Sequence, residues 1–143
     1  MKRILTIIVL FISCVFYSQN KGVLGKWKTI DDETGQPKSI VEIYEKSGKI
    51  YGKVIEILDS VHKNDFCKKC SGEDANKPIL GMIVIKGLTR DGNEYSSGKI
   101  LDPKNGKLYQ CFITLVSNEK LKVRGYIGIS LLGRTQYWQR VKK

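Results

Sequence analysis

Histidine is nearly missing from this chain: His62 is the only one among 143 residues. A Ser-His-Asp or Cys-His arrangement would have to be built on that residue, and it lies in a polar stretch that reads as a solvated loop. Spaced catalytic carboxylates are also lacking, because Asp31, Asp32 and Glu33 crowd into one turn. No glycine-rich loop joins a strand to a helix, which removes the usual phosphate cradle. No helical period follows the N-terminal segment, so bundles and doubly wound folds are excluded. The longest apolar run, residues 4–12, falls short of the ~20 residues a spanning helix needs. Hydrolytic enzymes and membrane-spanning helices are therefore poor descriptions of this chain.

What is present begins with the N-terminus. Met1-Lys2-Arg3 is a short basic segment, the apolar run follows, and the chain turns polar at Gln19-Asn20-Lys21. This pattern is expected to be a secretory signal peptide, residues 1–18, cleaved near Ser18, leaving a mature domain over 19–143 in the periplasm or outside the cell. Phe11-Ile12-Ser13-Cys14 partly resembles a lipobox, and acylation at Cys14 would anchor the protein to a membrane instead. The full chain carries a formal charge of +11, and losing Lys2 and Arg3 leaves about +9. Such a charge attracts anionic lipid, polysaccharide or nucleic acid, although the lysines are scattered rather than clustered.

From Gly25 onward the chain reads as short extended segments separated by turns. Strands are expected over 25–31, 39–45, 49–58, 82–88, 94–102, 107–116, 120–127 and 134–141. The clearest hairpin surrounds Pro103-Lys104-Asn105-Gly106, where proline presets the turn and Asn-Gly tolerates positive φ. In the third strand Tyr51, Lys53, Ile55 and Ile57 should share one face. Residues 59–78 break the rhythm with a polar connection long enough to cap one end of the domain. About eight sequential antiparallel strands dispose of their edges most economically as a single all-β, up-and-down barrel. A two-sheet sandwich would need longer crossovers.

Gly25-x-Trp27 resembles the Gly-x-Trp signature of lipocalins. That likeness implies an indole closing the barrel's bottom beneath a basic residue of the last strand, here Arg140 with Arg134 behind it. A longer resemblance runs through Cys67-x-x-Cys70 with Gly72, then Gly81 and Gly87-Leu88. It continues through Gly98-Lys99-Ile100-Leu101-Asp102-Pro103, Gly106-Lys107-x-Tyr109 and Leu121-x-Val123-Arg124-Gly125-Tyr126-x-Gly128. It ends in Gly133-Arg134-x-Gln136-x-Trp138-x-Arg140. In this order the motifs resemble the small exported bacterial proteins of the domain of unknown function 2147 family. The resemblance implies a lipocalin-like barrel and brings no established reaction; Cys111 is an extra thiol with no role in that pattern.

In an oxidising compartment Cys67 and Cys70 should form a disulfide that pins the long connection. A redox-active Cys-x-x-Cys and a metal site assisted by His62 and Asp65 are the competing readings, the latter short of zinc's four ligands. Cys111 alternates with Tyr109, Ile113 and Leu115 and reads as a buried small hydrophobe. Asp102 reads as the initiator of the Pro103 turn. If the barrel is hollow, Tyr109, Arg124 and Tyr126 are the candidate polar handles for a ligand, combining ring hydroxyls with a guanidinium suited to carboxylate or phosphate. An eight-stranded barrel is just wide enough to pack solid or to hold one small molecule. The expected function is thus non-enzymatic binding of a small apolar or amphiphilic ligand, with no cofactor. A cell-envelope interaction protein with a basic surface is the alternative, and a thiol oxidoreductase using Cys67 and Cys70 a third. Basic residues interleaved with aromatics also suit single-stranded nucleic acid, but export argues against that partner.

Overall fold

The computed structural model describes residues 22–142. The signal-peptide reading of residues 1–18 and lipid attachment at Cys14 lie outside them. Eight strands follow one another round a closed barrel: β1 (Gly25–Ile30), β2 (Pro37–Lys46), β3 (Lys49–Ile57), β4 (Ile83–Asp91), β5 (Glu94–Asp102), β6 (Lys107–Ser117), β7 (Lys120–Tyr126) and β8 (Gly133–Arg140). Each pairs antiparallel with its successor, and β8 closes on β1 through Trp27↔Arg140 and Lys28↔Gln139. The up-and-down barrel expected from the turn spacing is what forms. Pro37, which looked like part of the turn, opens β2 opposite Ile30, a strand-end position where a missing N–H is tolerated.

Side chains alternate between the two faces of each strand, and the inward set makes the core. Trp27, Val41, Ile43, Val54, Ile85, Cys111, Ile113, Leu121, Val123 and Trp138 are all buried. At one end, here the floor, the Trp27 indole is wholly buried and its N–H donates to the Val23 carbonyl at 2.8 Å. The Arg140 guanidinium lies 4.2 Å from the indole ring. It donates to the Leu24 carbonyl at 2.9 Å and to those of Gly22 and Asn118, so residues 22–24 are tied across the base.

Among several register shifts along the ladders, those in β3 and in the β4–β5 wall redirect core side chains. Opposite β2, Ile40 pairs with Glu56 but Val41 with Val54, which leaves Ile55 as the extra residue of a bulge. Ile57 is therefore inward and buried, while Tyr51, Lys53 and Ile55 face out, contrary to the single face expected from strict alternation. In the adjoining wall, Gly87 and Ser97 take φ values of 70° and 63°, and Ile85 and Leu88 both point inward although three residues apart. Any Cβ at Gly98 would strike the Lys86 carbonyl, so this bulged part of the wall admits no side chain there.

The connection between β3 and β4 does not cap an end of the barrel. It lies over the outside of β4 and β5, where Val84 and Leu101 face outward and are nonetheless buried with Cys67, Cys70 and Met82. Asp74 of this loop meets Lys86 of β4 at 2.6 Å. Cys67 and Cys70 form the expected disulfide, and the Cys67 sulfur sits 3.5 Å from the Pro103 carbonyl. Gly106, at φ 72°, presses so closely on the Lys69 backbone that a Cβ would overlap it. The disulfide loop thereby braces the β5–β6 turn from outside.

Candidate functional site

The end opposite Trp27 is the mouth, ringed by the β1–β2, β5–β6 and β7–β8 connections. Its chemistry comes chiefly from β8, where Arg134, Gln136, Trp138 and Arg140 occupy alternate positions. Pairing of Gly125 with Arg134, Val123 with Gln136 and Leu121 with Trp138 places them on the inner face. The motif is thus one continuous inward column from mouth to floor. Arg134 is not behind Arg140 over Trp27; three steps of two residues carry it to the other end of the strand.

At the mouth this column meets the acidic β1–β2 turn. The Trp138 indole N–H donates to Gln136 Oε1 at 3.2 Å, and the Gln136 amide donates to Asp32 Oδ2 at 2.8 Å. Arg134 Nε reaches the same Asp32 oxygen at 3.1 Å, while its Nη2 lies 3.9 Å from Asp102 Oδ2 on β5. Because β5 and β8 are three strands apart, this guanidinium extends across the opening. A second bridge joins the Lys104 ammonium of the β5–β6 turn to Glu33 at 2.9 Å. Its hydrogen bond to Glu33, then the carboxylate's charge, raise the Lys104 pKa above 10.5. Both bridges are exposed, so salt screens them and each holds the mouth only weakly.

Tyr109 faces the same space from β6, paired with Ile100 on β5. Its hydroxyl accepts from the Asn105 amide at 2.8 Å. Gly125 contributes no side chain beside it: a Cβ there would lie 3.2 Å from Ile100 and 3.4 Å from Tyr109. Thr29 and Ser39 join hydroxyls at 2.7 Å on the β1–β2 side. The mouth is therefore a half-buried polar rim over an apolar layer of Ile100, Cys111 and Val123. Among the described residues, clefts of about 330 and 310 Å³ also occur, but loop and outward-facing residues line them.

Of the residues singled out for ligand contact, only Tyr109 lies at this mouth. Arg124 and Tyr126 are out of phase with inward Leu121, Val123 and Gly125, and so stand on the outer wall. Arg124 donates to the Ser130 carbonyl through Nε at 2.9 Å and Nη2 at 2.6 Å, and to Thr135 Oγ1 at 2.8 Å. Tyr126 lies against Phe112, ring centroids 6.1 Å apart. Arg134, Gln136 and Asp32 were not singled out as ligand residues, although the alternate spacing along β8 carries that signal. His62 is exposed on the outer loop, 2.7 Å from Asp65. Cys111 is buried between Gly98 and Gly125 on the neighbouring strands, and burial pushes its thiol up to about 12.

A closed eight-stranded up-and-down barrel, with its first-strand tryptophan beneath an arginine from its last, is a lipocalin-like barrel. The chain belongs to the family described as "Uncharacterized protein conserved in bacteria (DUF2147)", whose model matches residues 25–140. The fold is shared with the Helicobacter pylori protein HP1028, described as belonging to the lipocalin family. The two superpose with a TM-score of 0.73 at 24% identity, over 83% of this chain and 82% of that one. No curated protein matches the chain.

Proposed function

We propose that this protein is an exported, non-enzymatic binder of one small amphiphilic molecule, held in the mouth of the barrel. Residues 1–18 act as its signal peptide and 19–143 as the mature domain. The observation that carries the reading is the gathering of Arg134, Gln136 and Tyr109 at one rim above an apolar layer, where Gly125 lets Ile100 and Tyr109 pack close against the wall. A carboxylate or phosphate head group would exchange for Asp102, the more distant partner of Arg134, at 3.9 Å against 3.1 Å for Asp32. The apolar part would rest on Ile100 and Tyr109. Arrangements of this kind, a few polar groups over an apolar wall, orient small ligands.

The Cys67–Cys70 disulfide supports an oxidising, exported setting. Binding rather than catalysis is supported by how the polar groups are used. Arg134, Gln136 and Tyr109 supply donors and charge, while the Cys111 thiol is buried beneath them and held protonated by its surroundings.

Native mass spectrometry of protein recovered from its host tests the reading. A small molecule should accompany the wild-type protein and be lost from Arg134→Ala and Tyr109→Ala, while Arg124→Ala, on the outer wall, keeps it. Loss from Arg124→Ala with retention in Arg134→Ala would overturn the assignment.

A further inference from the structure

The β7–β8 link carries surface that the mouth does not use. Ile127, Ile129, Leu131 and Leu132 fall within six residues and are all exposed, Leu131 at 83% and Leu132 at 68%. Their backbone is not loose: Ile127 N–H donates to the Leu132 carbonyl at 3.2 Å, and Leu132 N–H to the Ile129 carbonyl at 3.0 Å. Arg124 clamps the Ser130 carbonyl from the outer wall. The link's backbone is thus held by its own hydrogen bonds and by Arg124, while its aliphatic side chains stand exposed. Since Gln110 pairs with Tyr126, the extension of the same ladder sets exposed Leu108 beside the start of this link. A soluble protein seldom presents so many neighbouring aliphatic groups without something to cover them.

The same end supplies cations. Lys107 precedes Leu108, and Lys68 and Lys69 sit where the disulfide loop touches Gly106. Among the described residues these three lysines enter no ion pair. The carboxylates nearby are already engaged: Asp32 and Asp102 by Arg134, Glu33 by Lys104, and Asp31 by the N–H groups of Glu33 and Thr34. Exposed aliphatic tips beside free lysines complement a surface that is apolar below and anionic above. The apolar feature is a run of exposed aliphatic side chains on the β7–β8 link.

We propose that this end of the barrel docks on a bilayer containing anionic lipid. Ile129, Leu131 and Leu132 enter the boundary between head groups and acyl chains, and Lys68, Lys69 and Lys107 lie at the phosphates. Docking sets the mouth toward the lipid, but it requires only the link and the lysines and stands whether or not the mouth holds a ligand.

Full-length protein is mixed with vesicles of phosphatidylcholine alone, or with about a quarter phosphatidylglycerol, and recovered by flotation. The wild type should float with the anionic vesicles and be released by salt. Leu131→Ser with Leu132→Ser should weaken flotation at least about tenfold, with an unchanged thermal midpoint because both side chains are exposed. Leu131→Trp gives a readout that the N-terminal segment cannot mimic. Its emission should shift to the blue on anionic vesicles, and brominated acyl chains should quench it beyond the wild-type signal. Unaltered Leu131→Trp emission would overturn the proposal. So would self-association of the wild type, abolished by the paired serine change while flotation persists, which would assign the link to a second copy of the chain.

Discussion

Cys111 shows how far a single residue can be read. Its alternation with Tyr109, Ile113 and Leu115 marks it as inward, and the structure buries it, 1% exposed. The strand neighbours on either side are Gly98 and Gly125, so the thiol occupies a row of small residues where the wall has no room for bulk. Its pKa near 12, raised by burial, leaves almost no thiolate at neutral pH. In the 19–143 domain, which lacks Cys14, iodoacetamide at pH about 8 should leave Cys111 unmodified when folded and alkylate it once denaturant is added, read as one mass increment. Alkylation of the folded protein at the unfolded rate would contradict the burial. Trp27 is legible from the Gly25-x-Trp27 motif, and Arg140 from the resemblance to lipocalins, which implies a basic residue of the last strand over the indole. Arg124 and Tyr126 need only their phase against Val123 and Gly125 to be placed on the outer wall.

At the scale of elements, β8 is legible in the sequence and the β3–β4 connection is not. Period-two spacing from Arg134 to Arg140 is enough to predict a single face. Nothing in residues 59–82 says that they lie along the wall instead of over an end, because that depends on outward Val84 of β4 and Leu101 of β5, which lie beyond the connection itself. Bulges such as that at Ile55 are equally silent, since an extra residue leaves no compositional trace. Removing the disulfide with Cys67→Ser and Cys70→Ser should lower unfolding free energy by about 2 kcal/mol on loop closure alone, measured by urea titration. No change would mean that packing over β4 and β5 holds the loop unaided. The β1–β2 turn makes a pH prediction. Backbone N–H bonds from Thr34 and Glu33 hold the Asp31 carboxyl below its ordinary 3.8. A depressed carboxylate stabilises the fold above the unfolded value and loses that contribution as pH falls through the folded one. The thermal midpoint of the wild type should therefore drop on acidification below 3.8 more steeply than that of Asp31→Asn. Parallel curves would assign the acid sensitivity elsewhere.

For the molecule as a whole, eight sequential strands and the need to remove two edges were sufficient to predict closure. They were not sufficient to show how the interior divides, packed solid around Trp27 and Trp138 and polar at the mouth, since that follows from which residues of each strand lie near which end. Closure is also uneven. The β6–β7 ladder has seven registered pairs, whereas the β1–β8 ladder that shuts the barrel has two. Amide hydrogens at the β1–β8 seam should exchange faster than those between β6 and β7, measured by mass spectrometry of peptic fragments. Equal protection would mean that the barrel opens only by global unfolding. The narrow seam has a further consequence for biogenesis. Whether the chain emerges from a ribosome or threads through a translocation pore, its N-terminal end arrives first. β1 can find β2 at once, but its other edge must wait for residues 133–140, the last strand of the barrel to appear. A chain halted before β8 would hold nearly every hairpin and still keep one raw edge, together with a tryptophan lacking its arginine cover.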